Sequence, residues 1–192
     1  MKIAIFGGTF DPVHNAHLTV AREALRHFGL DQVLFIPAAL PPHKVGATYA
    51  GYEHRYRMVG LACQGDPQLI PSRLEAGEEK SYSINTIEKV KATLGPEDAL
   101  YFLVGADAFA EIKTWHRWQD VVKSVEFIVV SRMGHEYEVP DGARIHRLET
   151  VASPVSSSEI RARLRQGGSD VPLPGAVLAY IRERGLYCVS DL

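Results

Sequence analysis

The sequence predicts an α/β fold: a mainly parallel β-sheet with helices on both faces, followed by a C-terminal helical segment. Three observations carry this. Short runs rich in Val, Ile, Leu and Phe alternate with longer stretches of helical periodicity, as β-α-β wiring requires. The runs are apolar at nearly every position, as in strands covered on both faces. The first of them passes through Gly7 and Gly8 straight into a helical pattern. A chain of 192 residues can bury most of its apolar surface without disulfides or structural metal, and it fits one domain over 1–192, with a helical part from about 154.

The elements follow in order. Residues 2–6 (KIAIF) read as the first strand, and 16–28 as a helix whose Leu and Ala stripe ends at Phe28, where Gly29 can take the left-handed terminal conformation. Residues 32–37 (QVLFIP) read as a buried strand, followed by a Pro- and Gly-rich loop over 38–51 that suggests a mobile flap. Helical patterns at about 52–63 and 83–94 flank a short irregular strand region, and 99–104 (ALYFLV) and 126–131 (EFIVVS) are further buried strands. Residues 156–165 predict an amphipathic helix after Pro154, and 174–184 a closing helix with proline at its start and Gly185 at its end. These two helices are expected to cap one sheet edge. The polar stretch 134–142 predicts a mobile loop, and no internal repeat is present.

Composition excludes several classes. A net charge of −2 provides no basic field, so nucleic acid is not an expected partner. Cys63 and Cys188 are far apart and form no CxxC, as reduced thiols in the cytoplasm do. The chain enters a strand at once, without a charged leader, and no apolar run is long enough to span a bilayer, so the expectation is a cytoplasmic protein with no membrane partner. The sequence leaves oligomeric state open; a homo-oligomer is compatible with it.

The chemistry concentrates in KIAIFGGTFDPVHNAHL, residues 2–18. Gly7 and Gly8 let the backbone approach a ligand with no Cβ in the way, and the helix start that follows offers unpaired amides at the positive end of its dipole. His14 and His17, three apart, share one helix face and can point at one anion. A zinc site built from Asp11, His14 and His17 is the alternative, but such a site has no use for the glycine pair, which favours phosphate.

GGTFDPVHNAH resembles the GGTFDPxHxGH signature of the nucleotidyltransferase superfamily. LPPHK (40–44), SYSINT (81–86), VGADAF (104–109), TWHRW (114–118) and VSSSEIR (155–161) are similar, in the same order, to motifs of bacterial nicotinate-nucleotide adenylyltransferase. The resemblance covers nearly the whole chain and implies a Rossmann-like sheet. It also implies transfer of the adenylyl group of ATP to nicotinate mononucleotide, giving nicotinate adenine dinucleotide and pyrophosphate. It assigns His14 and His17 as catalytic, with the ATP phosphates also met by Gly7, Gly8 and backbone amides near Thr9 and Phe10. Gly105 and Asp107 would contact the adenosine portion, and Ser156, Ser157 and Arg161 the β- and γ-phosphates. Lys44, Ser83, Thr86 and Trp115 would bind the mononucleotide, with the indole stacking on the cationic pyridine ring. Mg²⁺ would arrive with ATP, without dedicated protein ligands. Two positions depart from the pattern: Ala16 stands where glycine is usual, and Asn85 where aspartate is frequent.

Overall fold

The computed structural model describes residues 1–40, 50–77, 80–131, 136–149 and 155–188. Its strands are β1 (Lys2–Gly8), β2 (Gln32–Pro37), β3 (Leu69–Pro71), β4 (Ala99–Gly105), β5 (Glu126–Ser131) and β6 (Arg144–Glu149). Its helices are α1 (Asn15–Phe28), α2 (Tyr52–Cys63), α3 (Ser83–Lys91), α4 (Ala106–Ala110), α5 (Trp118–Ser124), α6 (Ser157–Arg165) and α7 (Gly175–Glu183), with a 3-10 turn at Ile112–Thr114. The strands form one sheet in the order β3-β2-β1-β4-β5-β6. Every pairing among the described residues is parallel. The chain winds outward from β1 in one direction and then, from β4, in the other. Connections leave the neighbours β1 and β4 to opposite faces, which opens a crevice at their C-terminal ends.

Side chains alternate across this sheet with the strand period of two. Ala4, Leu103 and Ile128 belong to a core shared with α1, α2, α6 and α7. Ile3, Ile5, Phe102, Val104, Phe127 and Val129 face the other way, against α3, α4 and α5. Both faces are thus covered, which is why the strands read as continuous apolar runs.

The structure departs from the sequence expectations at several places, the short helices α4 and α5 among them. Gly7 and Gly8 do not make the turn: both end β1, and the left-handed residue of the following loop is Phe10, at φ 49°. β6 was not anticipated, because RIHRLE buries only Leu148 and carries charge along an outer strand, where His146 Nε2 lies 2.8 Å from Glu126 Oε2 across the pairing. The C-terminal helices do not cap an edge. Ile160, Val177 and Ile181 pack into the α1 and α2 side of the sheet. The segment 134–142 falls partly outside the described residues, as does most of the loop 38–51.

Candidate active site

The loop between β1 and α1 forms the centre of the site. The Phe10 ring turns inward and is 2 % exposed, packed edge-on to Phe6 and His17 with centroids 5.6 Å and 5.1 Å away, so only its backbone is left for a ligand. A Cβ on Gly8 would lie 3.0 Å from the Phe10 Cζ, whereas one on Gly7 would meet only the Phe102 ring at 3.8 Å. A side chain at position 8 would therefore first have to displace the buried Phe10 ring by a few tenths of an ångström.

His14 is the N-cap of α1 and His17 its third residue. Their rings stack with centroids 3.7 Å apart and planes 29° apart. The His14 backbone N–H donates to His17 Nδ1 at 3.1 Å, which places the proton of the neutral His17 ring on Nε2, as a donor. Burial lowers the His14 pKa to about 4. His17 is held well below its usual value, first by burial and then by the neighbouring His14. Both imidazoles are thus neutral near pH 7 in the free protein, and they act on an anion as N–H donors at a helix start rather than as standing charges. His14 Nδ1 is buried without a hydrogen-bond partner among the described residues.

The C-terminal segment braces this loop. Ser157 Oγ donates to the Pro12 carbonyl at 2.9 Å, and Arg161 Nη1 to the Asp11 carbonyl at 2.7 Å, with its Nη2 on Ser158 Oγ at 3.1 Å. Ser156 caps α6: its hydroxyl accepts the Glu159 N–H, and the Glu159 carboxylate accepts the Ser156 N–H, both at 3.1 Å. The Asp11 carboxylate is 2 % exposed and accepts from the Tyr187 hydroxyl at 2.6 Å and the Ala50 N–H at 3.2 Å. It therefore faces the C-terminal segment and the start of α2, not a metal with the two histidines. Among the described residues no three His, Cys, Asp or Glu side chains converge as metal ligands would.

On the other side of Gly7, Gly8 and Thr9, at the crevice between β1 and β4, lies a cavity of about 300 Å³. Phe102 and Val104 form its apolar floor, the start of α3 contributes Tyr82, Ser83 and Thr86, and Trp115 and His116 close one side. Trp115 is half-buried and sits edge-on to Phe102 at 5.8 Å, so its ring is held in place from behind. His116 lies over Tyr82 at 4.4 Å. Thr86 Oγ1 donates to Glu75 Oε1 at 2.5 Å, so its hydroxyl hydrogen is committed and cannot be given to a bound carboxylate. Ser83 and the first amides of α3 stand beside it on this wall, with the hydroxyls of Ser81 and Tyr82.

The structure brings Gly7, Gly8, Thr9, Ser83, Thr86 and Trp115 around one cavity, and sets His14, His17, Ser156, Ser157 and Arg161 around the adjoining loop. Gly105 is the N-cap of α4, and Asp107, in the first turn of that helix, is exposed at the C-terminal edge of the sheet. Lys44 lies outside the described residues. Sequence reasoning missed Glu75, 6 % exposed at the cavity, and Arg55, which is 1 % exposed and donates to four backbone carbonyls. An acid in a turn and an arginine in EHRYR carry no local sign of burial.

Comparison with known proteins gives the family. Residues 5–163 match the family model described as cytidylyltransferase-like. A relative from Solibacter usitatus, named "Probable nicotinate-nucleotide adenylyltransferase", is 59% identical over 97% of this chain and 100% of its own length. One of the same name from Thermus thermophilus is 40% identical over 97% of this chain and 100% of its own. The fold is similar to Plasmodium falciparum nicotinic acid mononucleotide adenylyltransferase complexed with NaAD, with a TM-score of 0.78 at 20% identity over 97% of each chain. The chain belongs to the cytidylyltransferase-like family of nucleotidyltransferases, and within it to the group of its nicotinate-nucleotide adenylyltransferase relatives.

Proposed function

We propose that the protein transfers the adenylyl group of ATP to nicotinate mononucleotide, releasing pyrophosphate and forming nicotinate adenine dinucleotide, a step of NAD biosynthesis. One observation carries the reading: a stacked pair of neutral histidines at a helix start and an indole-walled cavity adjoin through the single stretch Gly7 to Thr9, at the C-terminal end of β1. The names of the relatives support it.

The chemistry asks little of an acid or base. A phosphate monoester has its second pKa near 6, so at pH 7 the attacking group is already largely a dianion. Attack in line on the α-phosphorus of ATP then needs alignment of two anions and donors for the charge gathering on pyrophosphate. His17 Nε2–H, His14 and the Thr9 and Phe10 amides supply donors on the triphosphate side. The start of α6, with Ser156, Ser157 and Arg161, closes that side around the β- and γ-phosphates, the Ser157 hydroxyl and the Arg161 guanidinium also bracing the loop. Gly105 and Asp107 face the adenosine. The pyridine ring lies on Trp115, with its carboxylate at Ser83 and the first amides of α3, beside Thr86; Lys44 belongs to the same half-site. The donor set suits anions, so Mg²⁺ would be held by triphosphate oxygens and water, where it neutralises the leaving group. Among the described residues no helix is long and apolar enough to cross a membrane, and we place the reaction in the cytoplasm.

Pyrophosphate release with ATP and, in parallel, nicotinate mononucleotide, nicotinamide mononucleotide, a phosphopantetheine and a polyol phosphate tests the assignment. The acid mononucleotide should be turned over fastest. Preference for the amide would remove the carboxylate subsite, and ligand binding without pyrophosphate release would remove the activity.

A further inference from the structure

Arg55 sits in the first turn of α2, its N–H bonded to the Gly51 carbonyl, and its guanidinium is sunk beneath both half-sites. Nη1 donates to the Thr9 carbonyl at 2.8 Å and the Ala38 carbonyl at 2.7 Å, Nη2 to Ala39 at 3.2 Å, and Nε to Ala50 at 3.1 Å. A buried cation is costly to desolvate, and an apolar side chain would fill the same core space more cheaply. Its geometry suggests what it does instead.

We propose that Arg55 is a positioning residue that couples the two half-sites through two peptide groups. The Thr9 carbonyl shares its peptide with the Phe10 N–H, one of the amides assigned to the triphosphate. The Ala38 carbonyl shares its peptide with the Ala39 N–H, which donates to Ser81 Oγ at 2.8 Å. Ser81 lines the mononucleotide cavity, and its own N–H is tied to the Leu40 carbonyl at 3.1 Å. A charged donor on a carbonyl polarises the whole peptide and strengthens the bond made by its N–H, by roughly 10–30%. One rigid fork thus fixes the distance between the phosphate-facing amide and the wall of the cavity, and a ligand that orders either side orders the other. Lysine keeps the charge but cannot span four carbonyls set in a fork.

The inference rests on the proposed pair of substrates and is tested by binding rather than turnover. The affinity for nicotinate mononucleotide is measured calorimetrically with and without a non-hydrolysable ATP analogue, in wild type, Arg55→Lys and Ser81→Ala. Wild type should show mutual tightening of at least about fivefold. Both variants should lose it, and kcat should fall about tenfold or more; in Arg55→Lys, which changes no side chain lining the cavity, each ligand alone should still bind within about threefold of wild type. A merely structural arginine would lower thermal stability and leave the coupling factor intact. If Arg55→Lys does not fold, Ser81→Ala decides, since it cuts the chain at the cavity wall and leaves the buried guanidinium in place. Wild-type coupling retained in the variants, or no coupling in wild type, overturns the proposal. Failure of nicotinate mononucleotide to bind at all overturns the functional reading instead.

Discussion

At the scale of single residues, the pairing of the two histidines was legible from their three-residue spacing, although His14 is the N-cap with extended backbone and the rings meet as cap and third residue rather than on a helix face; their charge state was not legible. Burial and stacking set that, and they make the pair neutral. The folded protein holds His14 near 4, whereas an unfolded imidazole takes its proton near 6.5. Between those values the unfolded state binds more protons, so stability falls as pH drops through that window and the loss levels off below it. The contribution is on the order of 3 kcal/mol over the whole window. Denaturant titrations from pH 7.5 to 4.5 should show the fall, and His14→Gln should make it shallower, leaving the slope that the buried His17 imposes in the same direction. His17→Ala removes the Nε2 donor from the reacting phosphates, and kcat should drop about a hundredfold or more with the ATP KM changed far less. Steady-state pyrophosphate release measures this, and an unchanged kcat would remove His17 from the reaction. Arg55 was invisible for the opposite reason: a charged residue one turn into an amphipathic helix reads as solvated, and only tertiary folding puts three chain segments over it.

Among the elements, the buried strands were readable because both faces are covered, and β6 was not, because an outer strand needs charge more than apolar side chains. The short helices α4 and α5 escaped for want of a full amphipathic period. At α6 the SSSE run combines a cap with a proposed ligand contact, and a substitution can part the two. Aspartate is as good an N-cap as serine, so Ser156→Asp should keep the melting temperature close to wild type. It also sets a negative charge where the triphosphate is proposed to lie, so the ATP KM should rise about tenfold or more, read in the same pyrophosphate assay. An unchanged KM would leave Ser156 as a cap alone.

Over the whole molecule, the wiring made the parallel sheet legible, and the crevice at its centre follows from the reversal of strand order between β1 and β4. What the motifs could not show is how distant segments fasten the site, because such contacts have no local pattern. Tyr187 stands 176 positions from Asp11 and meets its buried carboxylate. Tyr187→Phe deletes one donor to that charge and should cost about 1–3 kcal/mol, seen as a lower urea midpoint with an unchanged slope. The ribosome delivers residue 11 early and Arg161 and Tyr187 late. A nascent chain can therefore pair its first four strands in the sheet, and hold the loop between β1 and α1 through Arg55 and Ala50, while the contacts from Ser157, Arg161 and Tyr187 are still missing. Parting the C-terminal helices from the sheet would leave all six strands paired and take from the loop between β1 and α1 its contacts with Ser157, Arg161 and Tyr187.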